Sequence, residues 1–190
     1  VATGRCLLAQ APTGIGKTIG TSFPLLKALA PQQLDKVFFL TAETPGRKLA
    51  LDAASVLHRS SPDLPLRVLD LVARDKACEH LDKACHGDSC PLACGFFDRL
   101  PAARRSAVAS SADRTVWDGP AVRALALQHG ICPYYLSQEL ARWADVVVAD
   151  YHYFYDSSAM LYALTQQQGW RAGVLVDEAH NLLERARSMY

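Results

Sequence analysis

The feature that most constrains this chain is the run Ala11-Pro12-Thr13-Gly14-Ile15-Gly16-Lys17-Thr18. It lies between an apolar stretch, residues 6–9 (CLLA), and a helix-forming stretch, residues 17–29. The run has the Walker A form, with Ala11 where the first glycine often stands. Gly14 and Gly16 let the backbone curl so that successive N–H groups point into one anion-binding nest. A helix starting near Lys17 adds the positive end of its dipole. In such a loop Lys17 reaches the β- and γ-phosphates and the Thr18 hydroxyl coordinates Mg²⁺. Thr13, Gly14, Gly16, Lys17 and Thr18 are therefore the candidate nucleotide-binding residues, with ATP and Mg²⁺ as their ligands. The loop needs a strand before it and a helix after it, which commits the chain to an α/β fold.

Three further apolar runs read as buried parallel strands, because they do not alternate: residues 37–41 (VFFLT), 146–149 (VVVA) and 174–176 (VLV). Between them, residues 17–29 read as a helix that Pro24 kinks. Thr44-Pro45 opens a second helix reaching about His58, which the Ser60-Ser61-Pro62 breaker ends. Strand, helix, strand, helix is the pattern of a parallel sheet with crossover helices. From about Leu71 to Tyr135 that rhythm stops. Residues 103–111 are ambiguous, 120–129 read as a short helix ended by Gly130, and Pro133 opens another running to about Trp143. The expected organisation is a phosphate-loop domain in residues 1–70, an insert in 71–135, and a return to the first domain in 136–190.

The last apolar run delivers Asp177-Glu178-Ala179-His180 to a strand's C-terminal end, the edge where open α/β sheets bind ligands. Asp177 would hold the Mg²⁺ of the nucleotide through water. Glu178 would orient and deprotonate an attacking water. His180 would sit on the γ-phosphate side, where it could sense hydrolysis.

A loop of the form APTGIGKT followed by DEAH resembles a superfamily 2 helicase. That resemblance implies a RecA-like P-loop NTPase sheet with Glu178, Lys17 and His180 in catalysis. The segment Thr41-Ala42-Glu43-Thr44-Pro45-Gly46-Arg47 is similar to the DNA-contacting motif of those motors, which implies that Thr41 and Arg47 touch single-stranded DNA. Read from residue types alone, the same segment is a helix cap, and the two readings weigh equally.

Of six cysteines, five (Cys78, Cys85, Cys90, Cys94 and Cys132) fall within about 55 residues. An ATP-type loop argues for a reducing compartment, where clustered thiols more often hold metal than form disulfides. Four thiolates suit zinc and iron–sulfur clusters equally well. Spacing leans away from zinc, because Cys78 and Cys132 cannot supply the second of two close pairs. Ala77-Cys78-Glu79-His80, Cys85 to Pro91, Cys94-Gly95-Phe96-Phe97 and Ile131-Cys132-Pro133-Tyr134-Tyr135 resemble, in order, the four-cysteine domain of XPD/DinG-like iron–sulfur helicases, bacterial members among them.

The resemblance implies a small, mainly helical insert holding a [4Fe–4S] cluster on Cys78, Cys85, Cys90 and Cys132, with Cys94 the rival of Cys90. It further implies Arg74 facing DNA and cluster, partners that are single-stranded DNA or single/double-strand junctions, a 5′→3′ polarity, and work in repair or replication in the bacterial cytoplasm at the nucleoid. An insert with few large apolar side chains would need such ligation to hold one shape. Two rival classes stay open: a zinc-stapled P-loop ATPase, and a non-catalytic module that binds nucleic acid or a partner.

The remaining features constrain less. A formal net charge of +1 is compatible with a basic groove on one face. No apolar run reaches the about 18 residues of a membrane span, and the first residues lack the pattern of a signal peptide. The chain begins with Val1 and the motifs that follow DEAH in the resembled motors are missing, so a fragment with little hydrolytic activity of its own is expected. Arg99, Arg104 and Arg105 form a basic group. Tyr134, Tyr135, Tyr151, Tyr153 and Tyr155 offer stacking surfaces or core packing, and His80 and His152 read as structural.

Overall fold

A computed structural model describes the whole chain except residues 1–3, 13, 62–65, 111–114, 157–158 and 189–190. In chain order the elements are α1 (Lys17–Lys27), β1 (Lys36–Leu40), α2 (Thr44–Ser60), β2 (Val68–Asp70), α3 (Arg74–Ala77), α4 (Phe96–Ser110) and β3 (Val116–Trp117). There follow α5 (Gly119–Gln128), α6 (Pro133–Leu140), β4 (Val146–Ala149), α7 (His152–Tyr155), α8 (Met160–Gln168), β5 (Ala172–Val176), a 3₁₀ turn (Ala179–Asn181) and α9 (Leu182–Ser188). They divide into two compact units, residues 1–64 with 145–190, and residues 65–144.

In the first unit β1 is the middle strand of a parallel sheet. It pairs with β4 on one side, Val37 opposite Val146 and Leu40 opposite Ala149, and with β5 on the other, Lys36 opposite Ala172 and Leu40 opposite Val176. Every residue of β1 and β4 is buried. That burial is why these strands read as unbroken apolar runs and not as alternating ones. α1 lies against β5 through Leu25. A Cβ on Gly173 would stand 2.7 Å from the Leu25 Cδ1, so only glycine permits that approach. Pro24 sits inside α1, and Pro45 lies in the first turn of α2, where a missing N–H leaves no bond unmade.

One expected strand is absent. Residues 6–9 form no ladder, and Leu7 and Leu8 are 85% and 87% exposed. Apolarity supplies a drive for burial, but a strand also needs an edge to pair with. β5 is an edge strand, and residues 6–9 make no ladder with its outer side. The approach to the phosphate loop, residues 4–12, has no regular secondary structure. The expected strands at 37–41, 146–149 and 174–176 correspond to β1, β4 and β5.

The second unit is built on the short parallel pair β2–β3, Val68 opposite Val116 and Leu69 opposite Trp117. At three and two residues these strands are too brief for a periodicity to be read. Asp118 caps α5 by accepting from the Ala121 amide at 2.8 Å. Leu69, Leu71, Phe96, Leu100, Trp117, Ile131, Leu136 and Leu140 form a core. This is more apolar filling than the sequence led us to expect of the insert. The shortage is confined to residues 72–95, where Cys90 is the one buried residue. Among the described residues, no helix is long and apolar enough to cross a membrane.

Candidate nucleotide site

The phosphate loop turns on two glycines. Gly14 and Gly16 have φ of 84° and 81°, a region that side chains disfavour, and Gly16 is the N-cap of α1. Lys17 is thus the first helical residue, beside the amides that an α-helix leaves unpaired at its start. Thr18 follows it, half-buried, on the same first turn. Thr13 lies outside the described residues.

β5 brings the acidic residues to the same sheet edge. The Asp177 amide donates to the Leu40 carbonyl at 2.9 Å, so the chain is still in register with β1 there. It then turns at Glu178, whose φ of 49° and ψ of 46° are left-handed. The Glu178 Oε1 lies 3.6 Å from the Lys17 Nζ, and its Oε2 lies 3.4 Å from the Nδ1 of the exposed His180. Phosphate-loop lysine, acidic turn and histidine, all expected from the sequence, are therefore brought together. With about a third of each side chain exposed, the Lys17–Glu178 pair adds little stability. What it fixes is geometry.

The charge balance of this edge is negative. Burial raises the Asp177 pKa, as does the Glu178 charge. The Glu178 backbone hydrogen bond and Lys17 pull it down, and Glu43 adds to the rise. A carboxylate held short of positive charge beside a hydroxyl-bearing helix start suits a hard divalent cation. Mg²⁺ is ordinarily bound by one or two carboxylates with waters and phosphates completing its shell. Asp177 and Thr18 are the residues that would hold it.

Several residues that the sequence did not mark for this site shape it. Gly46, in the first turn of α2, packs against Asp177 and Thr41. Thr41 is fully buried, and its hydroxyl accepts from the Glu43 amide at 3.4 Å. Thr41 is therefore an interior support in this structure and not an exposed contact. Arg47 is half-buried, one turn into α2. Tyr151, just past β4, is fully buried. Its hydroxyl donates to the carbonyls of Asp177 and, at 3.1 Å, Glu178. Burial first, and then the Asp177 charge, push that hydroxyl up to about 12. Of the tyrosines offered for stacking, Tyr151 and Tyr153 are core, whereas Tyr155 is exposed. Asp150 accepts from the His152 Nδ1 at 2.9 Å and from the Arg185 Nη2 at 3.0 Å.

Five of the six cysteines, Cys78, Cys85, Cys90, Cys94 and Cys132, lie in the second unit, and all six are free thiols. Burial raises the Cys132 pKa. Backbone hydrogen bonds from Tyr135 and Tyr134 lower it, and the nearby Cys78 and Cys90 raise it further. Cys85 and Cys132 both act, after burial, to raise that of Tyr135. Cys78 and Cys90 are thus near enough to Cys132, and Cys85 to Tyr135, for their charges to be felt there. Arg74 lies beside Cys85, its Nη1 3.8 Å from the Cys85 Sγ. Cys94 is exposed, beside a surface hollow it shares with Gly87, Asp88 and Arg99, and its carbonyl accepts from Arg99. Four thiols fit an iron–sulfur cluster in donor type and number. They are not drawn to ligation distance: among the described residues no three His, Cys, Asp or Glu side chains form a group able to hold a metal ion. Of the basic group, Arg104 is engaged by Glu139 and Arg99 by backbone carbonyls, while Arg105 is exposed.

Comparison with known proteins agrees with this arrangement. A family model described as DEAD/DEAH box helicase matches residues 1–109, and one described as DEAD_2 matches residues 66–190. The XPD helicase subunit of the general transcription and DNA repair factor IIH from Arabidopsis thaliana is 26% identical over 95% of this chain. The ATP-dependent DNA helicase CHL1 of Saccharomyces cerevisiae (strain YJM789) is 41% identical over 32% of it. The chain spans 27% and 7% of the length of these two relatives. A solved structure titled "Truncated XPD" shares the fold, with a TM-score of 0.52 and 22% identity over 90% of this chain and 47% of that one. Each family model covers more than half of the sequence, and the chain therefore belongs to the DEAD_2 branch of the DEAD/DEAH box helicases as an XPD-like helicase domain.

Proposed function

We propose that this chain carries the ATP site of a DNA helicase motor that couples hydrolysis to translocation on single-stranded DNA and to duplex unwinding, with 5′→3′ polarity. The observation that carries the reading is the opposition of Lys17 and Glu178 across 3.6 Å at one sheet edge. Thr13, Gly14, Gly16, Lys17 and Thr18 bind the phosphates, Asp177 and Thr18 hold Mg²⁺, Glu178 activates water, and His180 reports on the γ-phosphate. Bound there, Mg²⁺ supplies neutralising charge for the phosphates.

The insert expected at residues 71–135 lies within the compact unit 65–144 and acts as a cluster-bearing insert in a motor domain formed by the chain on either side of it. Cys78, Cys85, Cys90 and Cys132 ligate a [4Fe–4S] cluster. The nearness of Cys78 and Cys90 to Cys132, and of Cys85 to Tyr135, supports this set, as does the scarcity of buried side chains in residues 72–95. When bound, the cluster supplies cross-linking where a core is lacking. Arg74 and Arg47 are the surface candidates for DNA, and Thr41 supports that contact from beneath. The substrates are single strands or single/double-strand junctions met in repair or replication, in a reducing compartment such as the bacterial cytoplasm and its nucleoid.

The test uses the full-length protein with ATP and Mg²⁺ on duplexes bearing a 5′ or a 3′ single-stranded tail. Unwinding of the 5′-tailed duplex alone is expected. No unwinding of any tailed duplex would overturn the helicase reading, and unwinding from the 3′ tail would overturn the polarity. Anaerobic purification with iron, sulfide and zinc assays tests the insert. About four irons per chain are expected, whereas zinc without iron would move the assignment to a zinc-stapled ATPase.

A further inference from the structure

Tyr151 follows β4 directly, and its side chain is fully buried beneath the acidic turn. The hydroxyl donates to two successive carbonyls, those of Asp177 and Glu178. These flank the Asp177–Glu178–Ala179 backbone, where the chain leaves β5 and turns left-handed. A left-handed conformation is disfavoured in a residue with a Cβ. It persists where neighbouring structure over-determines it. At Glu178 the restraints are few and identifiable. The Asp177 amide is fixed by Leu40, the Glu178 carbonyl accepts from the Asn181 amide at 2.9 Å, and the Tyr151 hydroxyl grips both carbonyls from beneath.

We infer that Tyr151 is a positioning residue for Glu178: by holding both carbonyls of the left-handed turn, its hydroxyl keeps the Glu178 carboxylate facing Lys17. Fully buried, Tyr151 acts through the backbone it holds. The inference rests on the reading of Glu178 as the group that activates water. Without the hydroxyl the turn is free to relax toward a right-handed backbone, and that swings the carboxylate away from the phosphate loop. A displacement of about 1 Å at a reacting group can cost on the order of 100-fold in rate. Nucleotide affinity, which the phosphate loop sets, is left in place.

The experiment compares parent, Tyr151→Phe, Glu178→Gln and the double variant in the full-length protein. It records DNA-stimulated ATP hydrolysis and the affinity for a fluorescent ATP analogue with Mg²⁺. Tyr151→Phe keeps the ring and its burial and deletes one oxygen. Its kcat is expected to fall about 10- to 100-fold with nucleotide affinity within about twofold of the parent. Added to Glu178→Gln, it is expected to cause no further loss, because both changes remove one function. An unchanged kcat overturns the inference, as does a parallel loss of affinity or a multiplicative loss in the double variant. A parent that does not hydrolyse ATP, or a Glu178→Gln variant as fast as the parent, removes the hydrolytic reading of the site and this inference with it.

Discussion

Gly46 and Asp177 meet so closely that a Cβ on the glycine would stand 3.0 Å from the Asp177 Oδ2, and 2.6 Å from the Thr41 Oγ1 as well. The first turn of α2 is thus wedged behind the carboxylate that ends β5. Because α2 follows β1 and Asp177 follows β5, the contact ties the ends of two adjacent strands together. The Thr41–Arg47 segment, equally readable from sequence as a helix cap or a DNA motif, includes in Gly46 a residue packed directly against the acidic edge.

Gly46→Ala is therefore expected to destabilise the protein by about 1–3 kcal/mol, the usual penalty of overpacking. The gain from replacing a helical glycine by alanine, at most about 1 kcal/mol, does not offset it. Thr41 is fully buried and β-branched, so it has little room to give way. Denaturant titration with and without Mg²⁺·ATP checks this. A midpoint at or above that of the parent would show that the neighbours move freely.

The Lys17–Glu178 relationship leads to a separation of binding from turnover. Lys17→Ala is expected to abolish measurable nucleotide binding, while Glu178→Gln retains binding and loses about 10²–10⁴-fold in hydrolysis, the range for a general base. Neither change should move the stability of the nucleotide-free protein by more than about 1 kcal/mol, since the pair is a partly exposed one. Equal loss of affinity in both variants would contradict the division of roles.

How far the sequence could be read follows from what each signal depends on. Lys17, Glu178 and His180, which the structure brings together, could be marked from the sequence because a phosphate-cradling turn and an acidic strand end are both short local patterns. β1 and β4 were legible because burial on both faces writes an unbroken apolar run, and β5 carries such a run although its residues are only half-buried. Residues 6–9 carry the same signature and form no strand, because a ladder partner is a property of the rest of the fold. Tyr151, Gly46 and Asp150 were illegible as site residues for a related reason. Each acts through a contact with a residue 26 to 131 positions away, and local pattern holds no record of that contact. Gly46 alone left a hint: a glycine one residue beyond Pro45 in a helix start has no propensity reason to be there.

Within the proposed cluster, burial favours Cys90 over Cys94. Cys90 is buried and close enough to Cys132 to perturb it, whereas Cys94 is exposed. Serine at Cys78, Cys85, Cys90 or Cys132 is expected to strip iron from the protein and with it the broad visible absorption of the cluster. Cys94→Ser should keep the parental iron content. Iron and sulfide assays on the five variants decide it, and a Cys94→Ser protein without iron alongside an iron-replete Cys90→Ser would reverse the assignment.

Asp150 predicts a pH dependence. Burial by itself would raise its pKa. The hydrogen bond from His152, the His152 charge and the Arg185 charge together outweigh that and hold it below the ordinary carboxylate value. A carboxylate depressed on folding stabilises the native state above its unfolded pKa of about 3.9, and that contribution is lost as pH falls through the lower folded value. Asp150→Asn should therefore cost about 1–2 kcal/mol at pH 7, the scale of a charge-assisted hydrogen bond with one partly exposed partner. The difference from the parent should shrink as the pH is lowered through the carboxylate range. Stability curves of the two proteins over that range test it. A gap that stays constant down to the lowest pH would mean that the lost contribution is packing. A gap that closes would locate it in the charge that ties the end of β4 to α9.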